Sequence, residues 1–189
     1  MESELYKKTK QFVVNSFTKV GDVRGIKHFL RTVYWVNELK PDADEAMYIA
    51  AVAHDIERAY RNNDEINNIF KEKGFMDKDF LIYHQEKGAK IISDFLKEQN
   101  ASNELIERVK MLVKGHEVGG NDDQNIIKDA DSISYFENNA NHFVEVKAKE
   151  IGKNQVREKF DWMYNRISSG KGKQIALKWY ENALAKLNS

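Results

Sequence analysis

Apolar residues recur at helical spacing along almost the whole chain. Phe12, Val13, Phe17 and Val20 form one stripe, ended by Gly21. Ile26, Phe29, Leu30, Val33 and Val36 form a second, closed by Pro41, which cannot continue a helix. Leu81, His84, Gly88, Ile91, Ile92 and Phe95 line a third face, and Leu105, Val109, Leu112 and Val113 a fourth that runs up to Gly115-His116. Asp42, with Glu45 three residues on, reads as an aspartate version of the capping box. It opens a helix that is apolar on every face through Ile49 and Ala53, the pattern of a buried helix. Residues 126–136 continue the helical period, as do segments of about 153–168 and 172–187 with the hinge SSGKGK between them. No strand pair with a hairpin turn and no internal repeat interrupts the pattern. It predicts one all-α domain, residues 1–189, of about seven to nine helices.

Composition narrows the class. The chain has 189 residues, 41% of them hydrophobic, enough for one domain with a substantial core and short for two. Lysine plus arginine and aspartate plus glutamate each total 30, so no net field draws in a nucleic-acid polymer or an acidic membrane. The absence of cysteine excludes disulfides, thiolate catalysis and cysteine-based zinc fingers. No apolar run approaches the roughly 18 to 20 residues of a membrane helix, and MESELYKKTKQF lacks the apolar stretch of a secretory signal. A cytoplasmic protein without a membrane partner is the expectation.

One stretch does not fit a plain helical core. AVAHDIERAY, residues 51–60, sets His54 and Asp55 side by side directly after the all-apolar segment. An unpaired charge there costs several kcal/mol or is neutralised by a shifted pKa. Of the five histidines, His28, His54, His84 and His116 lie on or at the end of apolar stripes, each on a different predicted helix. Neutral imidazole and carboxylate are ligands for divalent transition metals, and a bound cation would remove the burial penalty of the doublet.

A histidine, then a His-Asp doublet, then a distant aspartate on a helical scaffold resembles the HD-domain superfamily of metal-dependent phosphohydrolases. The matching positions are His28 in KHFLRT, His54 and Asp55 in AVAHDIERA, and Asp131 in IIKDADSIS, over residues of about 20–136. The final segments, about 153–187, resemble the closing helices of small bacterial and archaeal members. By the resemblance Asp131, followed two places later by Ile133, is the ligand, and Asp129 a catalytic neighbour that orients a ligand or a water. HQEKGAKII, from His84, and VKGHEVGG, with His116, are similar to segments of members that hold two metals. That implies one ion on His28, His54, Asp55 and Asp131, and a second on His84 and His116 with Asp55 bridging. The alternative is a single ion, with His84 and His116 serving the substrate. Gly88, one turn after His84, would leave room for an ion or substrate. There is no GYP triplet, and Gly115-His116 stands where a His-His pair would be, so the cyclic-dinucleotide branch is not indicated.

The resemblance implies a phosphoric ester hydrolase that acts on a small phosphorylated substrate, a nucleotide being favoured. Its cofactor would be one or two transition-metal ions: manganese, iron, cobalt, nickel or zinc in preference to magnesium. Asp55 and Arg58 stand in the catalytic positions. Arginine stays protonated and cannot be a base, but it binds two phosphoryl oxygens at once. Arg31, one turn after His28, is a second candidate for the substrate. Two alternatives keep the same ligands: a di-iron oxygenase, and an inactive metal- or nucleotide-binding sensor. Glu57, next to Arg58 and about 100° from it around a continuing helix, is expected to face away from the metal. His142 is expected at the surface. KAKEIGKNQVREKF, residues 147–160, reads as a solvated helix face. Trp35, Trp162 and Trp179 read as packing residues.

Overall fold

The computed structural model describes residues 3–61 and 76–189, and the described residues form nine helices and no strand, as the periodicity predicts. In chain order they are α1 (Glu4–Lys19), α2 (Val23–Leu39), α3 (Glu45–Ala53), α4 (Lys78–Glu98), α5 (Asn103–Lys114), α6 (Asp122–Asn138), α7 (140–151), α8 (Lys153–Asn165) and α9 (Gly170–Asn188). A short 3₁₀ turn, Ile56–Ala59, follows α3, and the middle of α7, Phe143–Lys147, is π-helical. None of these helices is long and apolar enough to cross a membrane.

The all-apolar helix is the centre of the molecule. From Ala46 to Ala53 every side chain of α3 except the half-buried Tyr48 is buried, and α1, α2, α5 and α6 pack around it. Its small residues, Ala46, Ala50, Ala51 and Ala53, let four neighbours approach at once. The cap is Asp44 rather than Asp42: its carboxylate accepts from the Met47 amide at 3.0 Å, while Lys40 to Ala43 close a turn behind Pro41. Beyond α3, α2 lies along α6, α4 pairs with α5, and α8 and α9 pack together with α9 against α6.

The hinge before the last helix is shorter than SSGKGK suggests. Ser169 caps α9 by accepting from the Gly172 amide at 3.0 Å, so both glycines of GKG are helical. A Cβ at Gly172 would stand 2.7 Å from the Ser169 hydroxyl and 2.9 Å from Ile167, so only glycine leaves the cap intact. Trp35 and Trp179 meet edge to face at 5.9 Å, as packing residues do. Trp162 lies elsewhere and is treated below.

Candidate metal centre

The doublet stands just past the end of a helix rather than inside one. α3 stops at Ala53, His54 caps it, and Asp55 leaves helical geometry with φ −98° and ψ 13° before the 3₁₀ turn begins. This break aims His54 and Asp55 toward α2, α4, α6 and the end of α5. Two clusters result, His28, His54 and Asp131 in one and Asp55, His84 and His116 in the other, with the donor atoms of each cluster within 4.8 Å of one another. All six residues are buried.

The four imidazoles form a chain, His28–His54–His116–His84, with successive ring centroids 5.3, 5.1 and 5.2 Å apart. Asp55 stands between the clusters. Its Oδ1 lies 2.9 Å from His84 Nε2 and 3.8 Å from His116 Nε2, and its Oδ2 3.7 Å from His54 Nε2. Asp131 Oδ1 faces His28 Nε2 at 3.0 Å and His54 Nε2 at 3.5 Å.

Hydrogen bonding on the outer side of each ring fixes its tautomer. His54 Nδ1 meets the Ala51 carbonyl at 2.9 Å and His116 Nδ1 the Val113 carbonyl at 2.7 Å. A carbonyl only accepts, so both Nδ1 atoms carry the proton. His28 Nδ1 meets the Ser134 hydroxyl at 2.9 Å, and that hydroxyl donates its one proton to the His28 carbonyl at 2.8 Å. Here too, then, Nδ1 is the donor. His84 Nδ1 meets Glu57 Oε2 at 2.8 Å, closer than Arg61 Nη2 at 3.3 Å, and the carboxylate decides the proton. With Nδ1 committed on the outer side, each ring turns Nε2 to the interior, where His28 and His84 meet the Asp131 and Asp55 carboxylates, and Nε2 is the atom each would offer to a metal. His54 Nε2 and His116 Nε2 are buried with no hydrogen-bond partner among the described residues. Buried polar atoms left so are rare unless an ion or water completes them. The two clusters fit divalent cations.

Their electrostatics say the same. Burial alone would raise Asp55 and Asp131. Arg58, 2.8 Å from Asp55 Oδ2, with His54 and His84, and Arg166, on Asp131 Oδ2, with His54 and His28, together outweigh it and hold both carboxyls well below the usual range. Burial opposes a charge on His54, yet Asp55 and Asp131 carry it up to about 9. Burial takes His116 the other way, down to about 4. So uneven a set of ring affinities marks a site built around anionic oxygens that want a cation.

The structure therefore brings together all six expected donors and Arg58. It gives three other residues different roles and brings a fourth in. Asp129 does not orient a ligand: two residues before Asp131, it points about 200° away around α6. Its carboxylate accepts from the Ser168 and Ser169 amides at 2.7 and 2.8 Å, and so anchors the hinge before α9. Arg31 is taken up by Glu137 at 2.8 Å and stacks 3.9 Å from the Tyr34 ring, outside the cavity described below. Gly88 leaves room for backbone rather than for a ligand, since a Cβ there would stand 3.4 Å from the His54 carbonyl and 3.8 Å from Glu57 Cβ. Glu57 is the reverse case. The 100° estimate assumed a continuing α-helix, and the 3₁₀ turn brings Glu57 in, fully buried, to hold His84 and Arg61.

The clusters open into a cavity of about 960 Å³. Four of its lining residues, Lys147, Glu150, Ile151 and Lys159, come from the stretch expected to be solvated, and His142 is half-buried on its wall rather than free at the surface. Arg166, in the hinge after α8, donates to Asp131 Oδ2, to Ser132 Oγ at 2.8 Å and to Glu117, and its guanidinium lies 4.5 Å from the Trp162 ring centroid. Arg166, Lys159 and Glu117 carry no local sequence signal. Their role appears only when α8 docks.

The family that matches the chain, over residues 19–186, is described as a domain of unknown function (DUF4202). No curated protein and no solved structure matches it.

Proposed function

Since the chain belongs to the DUF4202 family, whose description assigns no chemistry, we propose from the site itself that it is a metal-dependent phosphohydrolase of the HD type. Its substrate would be a small phosphoester, a nucleotide being favoured. The observation that carries this reading is the set of four imidazole Nε2 atoms and two carboxylates converging at the floor of a cavity whose walls carry arginine and lysine. Four imidazoles make the donor set too nitrogen-rich for calcium or magnesium and suit manganese, iron, cobalt, nickel or zinc. The two facing clusters, with Asp55 offering one oxygen to each side, favour two ions over one.

Held there, such ions would supply Lewis-acid polarisation of a phosphoryl oxygen and an acidified water. The protein's own residues do the rest. His28, His54, His84 and His116 are oriented through Nδ1 by Ser134, the Ala51 carbonyl, Glu57 and the Val113 carbonyl, which leaves Nε2 toward the ions. Arg58, 43% exposed at its side chain and already aimed at Asp55, faces the cavity and binds oxygens on which charge develops. Phe80 and Leu81 close one wall against bulk water. Water adds to phosphorus, the ester P–O bond breaks, and the alcohol leaves with a proton.

The test is a panel of nucleotides and phosphomonoesters assayed with manganese, cobalt, nickel, magnesium and zinc. Metal-dependent phosphate release supports the proposal, and tight nucleotide binding without turnover by metal-loaded protein would make the chain a sensor. The six-donor set also favours a second reading, a di-iron oxygenase. Iron as the one activating metal, with oxygen-dependent turnover and no phosphate release, would select it.

A further inference from the structure

Most cations on the cavity wall already have an anion. Arg58 pairs with Asp55, Arg61 with Glu57, Lys147 with Glu150 at 2.6 Å, and Arg166 with Asp131 and Glu117. Arg24 is exposed, so water serves it. Lys159 is different. It is half-buried, it lines the cavity, and it makes no hydrogen bond and no ion pair within 4 Å among the described residues. It is held instead by rings, 4.4 Å from the Trp162 centroid and 5.9 Å from that of Tyr135. The same indole carries Arg166, which contacts Asp131. That chain of contacts places the ammonium on the side of the cavity where Asp131 and the first His cluster lie.

Such a position is costly without a ligand. Burial together with the charges of Arg166 and Arg58 brings Lys159 down to about 8, although Glu117 and Asp131 work the other way. Its three donors are all unused. The Tyr135 hydroxyl, on the neighbouring ring, is likewise buried without a partner among the described residues. An unpaired ammonium and an unpaired hydroxyl next to a group of arginines make a receptor for an oxyanion, completed by what enters the cavity.

We propose that Lys159 binds a non-bridging oxygen of the substrate's phosphate, and that the substrate is a phosphomonoester rather than a diester. This rests on the phosphohydrolase reading and names the substrate class for that site. A monoester dianion offers three non-bridging oxygens, enough to meet metal on the floor, Arg58 and Lys159. A diester monoanion offers two and turns a second ester arm toward Lys159. The remaining cavity, about 960 Å³ in all and lined in part by Leu81, Phe143 and Met163, takes the leaving group.

The test uses full-length, metal-loaded protein with inorganic phosphate as the probe, read by calorimetry alongside metal analysis. Lys159→Met keeps the packing on Trp162 and removes the charge, and Lys159→Arg keeps the charge. Both are expected to retain parental metal content. Phosphate affinity should fall tenfold or more in Lys159→Met and stay within about threefold in Lys159→Arg. Phenyl phosphate should compete with bound phosphate, and diphenyl phosphate should not. Parental phosphate affinity in Lys159→Met, at full metal content, overturns the role of Lys159 while leaving the metal site standing. Equal competition by the diester overturns the substrate class. A parent protein that holds no transition metal after reloading overturns the phosphohydrolase reading, and this inference with it. If Lys159→Met melts well below the parent, Lys159→Gln is measured in its place against the same thresholds.

Discussion

Substituting Glu57 by glutamine tests how the site is supported, because Glu57 touches one cluster and not the other. Its Oε2 accepts from His84 Nδ1 at 2.8 Å and from Arg61 Nε at 3.0 Å, and the Glu57 side chain is fully buried. Glutamine keeps the shape but loses the charge. It can also turn its amide toward His84, which would move the ring proton to Nε2 and remove that ligand. Losing a group that orients a metal-bound histidine weakens metal binding about 10 to 100-fold, or roughly 1.4 to 2.8 kcal/mol. His28, His54 and Asp131 do not contact Glu57, so the loss should fall on the ion at Asp55, His84 and His116 alone. Chelator competition on the variant should therefore become biphasic, one ion leaving at 10 to 100-fold lower chelator and the other at the parental concentration. Arg61, 8% exposed, loses its anionic partner as well, and breaking a buried pair from one side costs about 3 kcal/mol or more. The metal-free variant should thus melt several degrees below the metal-free parent. Unchanged occupancy of both ions, or equal weakening of both, would refute the assignment of Glu57 to His84's support.

Other outcomes follow from the same geometry. Chelation of loaded protein should lower the melting temperature on the order of 10 °C, since binding at a thousandfold excess over Kd contributes about 4 kcal/mol and a chain of this size shifts by roughly 2 to 4 °C per kcal/mol; no shift in demonstrably loaded protein would argue against a buried site. Asp55→Ala and Asp131→Asn should abolish metal retention, whereas Asp129→Asn should keep the metal and lose about 2 to 4 kcal/mol of stability in a denaturant melt, through weakened bonds to the Ser168 and Ser169 amides. Metal-free protein should be most stable near pH 6.5. His54, raised to about 9, favours the folded state below 6.5 and stops doing so as pH climbs through 9, while His116, lowered to about 4, opposes folding increasingly as pH falls from 6.5 to 4. Asp55 and Asp131, both held low, add stability that is present above pH 4 and lost in acid. A melting temperature that is flat between pH 4 and 9 would contradict these shifts.

Helix content and the six donors could be read from the chain because each depends on short-range order. Apolar period and breakers place the helices and set four histidines on core faces, and the resemblance to HD-domain proteins picks Asp55, Asp131 and those histidines as donors. What could not be read depends on where the chain departs from that order. Glu57 needed the 3₁₀ turn after Asp55, a change of pitch that no residue between Ile56 and Ala59 announces. Arg31 was claimed by Glu137, more than a hundred residues away, and such pairings carry no local signal. Lys159 sits among alternating charges that look like any solvated face. It turns inward because Val156, Phe160 and Met163 on the same helix are buried and set the rotation of α8. Asp129 and Asp131 look interchangeable in KDADS, and 200° of helix separates an anchor for the hinge from a donor.

The four imidazoles are not held alike, and that divides what variation can reach. His54 and His116 are pinned by main-chain carbonyls of their own helical turns, at Ala51 and Val113. No side-chain replacement at those two positions can take the acceptor away. His28 and His84 are pinned by side chains, Ser134 and Glu57. A neutral hydroxyl pulls less electron density onto its ring than a buried carboxylate does, so His84 is the more basic donor of that pair. For the proposed metal site, that leaves two dials on ligand strength, positions 134 and 57, one at each end of the row of rings. The middle two rings are the fixed scale against which those dials turn.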